Sequence, residues 1–108
     1  MQTSIRWEVS DKNGNKIYLT QERWEHITED INHPEMADYE EELKETIRIG
    51  KRTQDTLNPQ KYRYSMTFDN LAGYNTHIVA LVLFRFREQS GEVLSNNFIV
   101  TAYQKEIG

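Results

Sequence analysis

The stretch RWEHITEDINHPEM, residues 23–36, holds His26 and His33, two of the three histidines in the chain. Imidazole titrates near neutrality, so either ring can take or give a proton without extreme tuning. Arg85 and Arg87 in FRFRE offer planar guanidinium forks that match two oxygens of a phosphate or carboxylate. Thr101 offers a hydroxyl. Tyr62, Tyr64 and Tyr103 offer faces on which a base could stack. Proton transfer beside a bound anion is the chemistry these types suggest. Each also has a bland account. His26 fits a border histidine hydrogen-bonded to a sheet carbonyl. His33 precedes Pro34, and a capping or structural role comes first for it. Glu35 suits the dipole of the turn that follows. Arg23 could hold phosphate or pair with Glu22 or Glu29. Arg85 could reach into solvent from a frayed strand end, and Thr101 and the tyrosines are ordinary strand residues.

Metal chemistry finds little support. The chain has no Cys, which excludes disulfides and thiolate zinc sites. His26, His33, Glu35 and His77 match no zinc signature such as HExxH. No Gly-rich phosphate loop occurs. Neither a metal nor a cofactor is expected.

The elements that must position these groups follow from pattern. Ile5, Trp7 and Val9 alternate with Arg6 and Glu8, which predicts a half-buried strand. Asn13-Gly14 suits a hairpin turn, and KIYL (16–19) returns as a strand. Thr20 is placed as an N-cap. Trp24, Ile27 and Ile31 form the apolar stripe of a helix, with His26 about 100° around from Ile27. The residue before Pro avoids the α region, so this helix stops near His33. Pro34 opens a second helix with the stripe Tyr39, Leu43, Thr46, Ile47, which ends near Gly50. Strands are expected at 53–57, 62–68, 76–86 and 93–103. The third is apolar on both faces and therefore central. On that strand His77, Arg85 and Arg87 share a parity with Val79, Leu81 and Leu83. His77 stands at the opposite end from Arg85. Two helices on one face of an antiparallel sheet make a single α+β domain over 1–108.

Charge is unevenly spread. The formal net charge is −4, yet residues 21–45 hold ten acids and two bases, and the remainder seven acids and eleven bases. The acid lies on the helical segment and the strand-rich part is basic, so an acidic chain can still present a basic face. The longest apolar run, 78–84, is too short to span a bilayer as a helix. The N-terminal residues lack the apolar segment of a signal peptide. A cytoplasmic protein without membrane contact is expected.

In order and spacing, IYLTQERWEHI (17–27), HPEM (33–36), IVALVLF (78–84) and IVTAY (99–103) resemble the phage-associated branch of the barnase–EndoU–colicin–RelE superfamily of small ribonucleases. The resemblance covers about residues 16 to 103. It implies a helical N-terminal half followed by a curved four-stranded antiparallel sheet. It implies metal-independent RNA cleavage, with the 2′-hydroxyl attacking its own phosphate. His26 would be the general acid or base, and Arg85 and Thr101 would contact phosphate. Arg23, His33, Tyr64, Arg87 and Tyr103 would bind RNA. A cognate antitoxin or immunity protein would be the natural protein partner. The rival expectation is a non-catalytic binding module, or an inhibitor, that uses its acidic helices against a basic partner. Net −4 favours that rival over a general RNase.

Overall fold

A computed structural model describes residues 4–107. Strands β1 (Ile5–Ser10) and β2 (Lys16–Thr20) form the expected hairpin. Its turn is organised by Asp11, whose Oδ1 accepts from the backbone N–H groups of Asn13 and Asn15, both at 2.9 Å. Gly14 takes the positive φ of 82° that the turn requires.

Thr20 caps helix α1 (Gln21–Ile27), its hydroxyl accepting from Arg23 N–H at 3.1 Å. Trp24 and Ile27 are buried, but Ile31 is 88% exposed. The stripe therefore ends one turn earlier than its periodicity suggests. The reason is local. Asn32 Nδ2 donates to the His26 carbonyl and His33 N–H to the Ile27 carbonyl, both at 2.9 Å. These bonds satisfy helix-end carbonyls and turn the chain back. Pro34 then starts a 3-10 turn (Pro34–Asp38), not the long second helix. Helix α2 (Glu40–Ile49) follows and buries Leu43, Thr46 and Ile47. It ends at Gly50, where a Cβ would run into the carbonyl oxygens of Thr46 and Ser65.

Six more strands follow: β3 (Lys51–Gln54), β4 (Lys61–Thr67), β5 (His77–Leu83), β6 (Phe86–Gln89), β7 (Glu92–Ser95) and β8 (Asn97–Lys105). The main sheet has six strands in the order β1-β2-β8-β5-β4-β3. Four of these are the expected strands, with β3 at 51–54 in place of 53–57, and the N-terminal hairpin widens the sheet to six. All pairings are antiparallel except β2 with β8, which is parallel through Ile17↔Asn97 and Tyr18↔Phe98. The two long C-terminal strands of the sequence reading are each divided. After Leu83 the chain leaves the sheet, and β6 and β7 pair only with each other as an arm. Every residue of β6 is exposed, so nothing there pulls the arm back onto the core.

The core lies on the helical side of the sheet. Ile17, Leu19, Tyr64, Ile78, Ala80, Val82, Ile99 and Ala102 meet Trp24, Ile27, Met36, Leu43 and Ile47. Two polar clasps hold the edges. Tyr64 Oη donates to Asp11 Oδ2 at 2.6 Å, and Arg52 reaches Asp11 at 3.9 Å. The hairpin turn is thereby tied to β3 and β4 at the far edge. Burial alone would raise the Asp11 pKa, but hydrogen bonds from Tyr64, Asn15 and Asn13 outweigh it and hold the carboxyl below its usual value. At the other clasp, Glu40 accepts from Arg6 and, at 2.8 Å, from Trp7 Nε1. The Arg6 hydrogen bond is the largest influence on Glu40 and lowers its pKa against the opposing effect of burial.

Candidate functional site

Paired residues in a sheet present side chains to the same face, so the register lays out the face turned away from the helices. Thr67, His77 and Lys105 form one cross-strand row. Lys51, Ser65, Val79 and Tyr103 form the next. Thr53, Arg63, Leu81 and Thr101 form a third. Lys61, Leu83, Phe98, Tyr18 and Glu8 form the fourth, running across five strands. Only this last row includes an acid.

Among the described residues, the Lys and Arg side chains in ion pairs all lie away from this face. Arg6, Lys44, Arg48 and Arg52 are in ion pairs with Glu40, Glu41, Glu45 and Asp11. Among the described residues, Lys16, Arg23, Lys51, Lys61, Arg63, Arg87 and Lys105 are in none. All seven lie on the open face or in the groove at its side; Lys12 in the hairpin turn and Arg85 after β5 are likewise in none. Asp55, beside Lys61 and Arg63, is held low chiefly by the N–H groups of Leu57 and Asn58.

That groove, about 770 Å³, runs between β2, β8 and the β6–β7 arm. Tyr18 and Phe98 form its floor, with ring centroids 5.9 Å apart. Arg23, Arg87, Lys16, Glu8 and Glu22 stand around it. Thr20 and Leu94 complete its walls. Tyr18 Oη donates to Asn96 Oδ1 at 2.8 Å, which fixes the ring.

The expected site residues separate into groups. His33 and Tyr103 are brought together, with ring centroids 5.5 Å apart. His33 stands at the N-cap position of the 3-10 turn, yet its side chain makes no capping bond. Its Nδ1 faces Glu35 Oε1 at 3.6 Å. Thr101 shares the open face with Tyr103, two residues along β8. His26 lies across the same chain reversal from His33, because Asn32 and His33 bond back to residues 26 and 27. Its ring is 55% exposed and stands 4.0 Å from Glu29. Arg23 and Arg87 line one groove.

Arg85 is separated from Thr101. Thr101 pairs with Leu81, and Arg85 is four residues further on, about 13 Å at strand rise. The bend after Leu83 also removes Arg85 from any shared parity. The cation in the Thr101 row is Arg63, two strands away, or roughly 10 Å. Tyr64 is corrected outright. It is 1% exposed, its hydroxyl is taken by Asp11, and burial followed by that carboxylate raises its pKa. No face remains for a base. His77 has both ring nitrogens engaged, by Thr67 at 3.1 Å and Thr76 at 2.7 Å.

Sequence reasoning missed Arg63, Lys16, Tyr18 and Phe98. The alternation YRYSMTF places Arg63 opposite in parity to the buried Tyr64, a signal sufficient to put it on the open face. Tyr18 and Phe98 carried no such signal, since they meet only through the parallel β2–β8 pairing. Among the described residues, no three His, Asp or Glu side chains are grouped as metal ligands, and no helix is long and apolar enough to cross a membrane. No protein-family model, no curated protein and no solved structure matches the chain.

Proposed function

We propose that the protein is a small metal-independent endoribonuclease of the barnase–RelE type, with RNA lying across the open face of the sheet. The observation that carries this reading is the placement of His33 against Tyr103, beside Thr101, on the face where unpaired cations collect. A phosphodiester needs such a face, because each contacted phosphate favours a cation without a competing carboxylate. One imidazole of the pair His26 and His33 takes the proton from the 2′-hydroxyl as O2′ bonds to phosphorus. The other protonates O5′ as the P–O5′ bond breaks. The products are a 2′,3′-cyclic phosphate and a free 5′-hydroxyl. Thr101 and Arg63 would contact the phosphate oxygens, where stabilisation of developing charge matters most. Arg85 would act further along the strand of RNA.

The test is cleavage of total cellular RNA by purified protein in EDTA, for wild type, His33→Ala and His26→Ala. Wild-type cleavage lost in both variants supports the reading. Wild-type protein that leaves every RNA intact removes it.

One observation favours a second reading. The helical side carries Glu40, Glu41, Glu42 and Glu45 on one helix, a surface suited to a basic protein partner. A binding module of that kind would not arrest growth when its expression is induced, whereas a toxic ribonuclease would.

A further inference from the structure

We propose that the groove beside the β6–β7 arm is a nucleotide subsite, with a base laid on Tyr18 and Phe98 and its phosphate held between Arg23 and Arg87. The inference rests on the RNA-cleaving reading above and adds where the substrate strand leaves the sheet. Three independent features support it. The volume of about 770 Å³ falls within the roughly 300–1,000 Å³ usual for small-ligand sites. Its floor is aromatic and fixed, since Tyr18 is hydrogen-bonded to Asn96 and both rings are half-buried. A rigid aromatic pair receives a base of any identity by stacking. Its cations come from separate elements, Arg23 from α1 and Arg87 from the arm, and neither is in an ion pair among the described residues. Two guanidiniums from separate elements offer planar forks that match phosphate oxygens.

Glu8 and Glu22 also line the groove. With Lys16, Arg23 and Arg87 present, the cations outnumber them, so the groove suits one phosphate and not a run of them. The floor is continuous with the row Phe98, Leu83, Lys61 on the open face. A strand bound near Thr101 would therefore pass from the sheet onto these rings without crossing the helices.

The experiment measures binding of a fluorescein-labelled 2′-O-methyl hexaribonucleotide, which lacks the nucleophile for cleavage, by fluorescence anisotropy at several salt concentrations. The proteins are wild type, Phe98→Leu and the double variant Arg23→Gln/Arg87→Gln. Cleavage of an unmodified hexamer is followed in parallel. Phe98→Leu should weaken binding about tenfold, within the range of one lost stacking contact. The arginine variant should weaken it at least as much and flatten the log–log salt slope by about 0.7, the contribution of one phosphate on a single strand. In both, KM should rise while kcat stays within about twofold, since the groove lies away from the proposed scissile phosphate. Wild-type binding with unchanged variants overturns the subsite and leaves the ribonuclease reading standing. Wild-type protein that neither binds nor cleaves overturns both. Should Phe98→Leu misfold, the arginine variant still decides, because Arg87 is exposed on the arm and Arg23 lies outside the core.

Discussion

The His33 ring lies 5.5 Å from the ring of Tyr103 at an interplanar angle of 33°. The two residues are seventy positions apart in the chain. A histidine from the reversal after α1 thereby reaches the strand that carries Thr101, and the imidazole is steadied by an aromatic face on one side and Glu35 on another.

From that contact, His33→Ala should lower kcat/KM for RNA by about 10²–10⁴, the usual contribution of a general acid or base. Tyr103→Leu should act less strongly, since it only positions the ring. Single-turnover cleavage in EDTA measures both. Equal activity of wild type and His33→Ala would assign the proton transfer elsewhere.

Asp11 and Glu40 make stability depend on pH in a definite direction. Both carboxyls have folded pKa values below their ordinary ones. Each contribution is therefore present above the ordinary carboxylate pKa and is lost as pH falls through the depressed value. Urea midpoints should hold steady near neutrality and decline through the carboxylate range. Tyr64→Phe should destabilise the protein by about 1–2 kcal/mol and make that decline shallower, because one of the bonds depressing Asp11 is gone. An unchanged pH profile in Tyr64→Phe would show that the clasp does not set it.

Gly50 is required for close approach and not for backbone freedom. Its φ of −69° is open to any residue, but the added methyl of Gly50→Ala meets the Thr46 and Ser65 carbonyl oxygens. The loss should be about 1–3 kcal/mol, as for other overpacked sites, read from the urea midpoint. A neutral substitution would mean that the end of α2 can shift away from β4.

The early end of α1 separates two isoleucines that share one sequence pattern. Ile27→Ala should lose about 2–5 kcal/mol, because Ile27 is 1% exposed in the core. Ile31→Ala should stay within about 0.5 kcal/mol, because that side chain is 88% exposed. Comparable losses at both positions would mean that α1 continues past Thr28.

What the sequence determined by itself is local and periodic. Asn13-Gly14 specifies the hairpin turn through backbone conformation. Thr20 caps α1 through a bond three residues away. The stripe Leu43, Thr46, Ile47 and the alternation in YRYSMTF each name a buried face, because side-chain direction repeats with the backbone. The α+β class and the basic character of the strand-rich part follow from those patterns. The tertiary structure decided everything that needs partners far apart in the chain. Ile31 fits the helical period but lies outside the core, because the bonds from Asn32 and His33 close the helix first. Arg85 fits the strand parity but leaves the sheet, because β6 has nothing to bury against. Tyr64 could pass for a stacking ring until Asp11, fifty-three residues away, takes its hydroxyl. Tyr18 and Phe98 become neighbours only through a parallel pairing whose register no local signal encodes. The rows that align Arg63 with Thr101 exist because strands pair across the sheet, and such pairing depends on every strand around it.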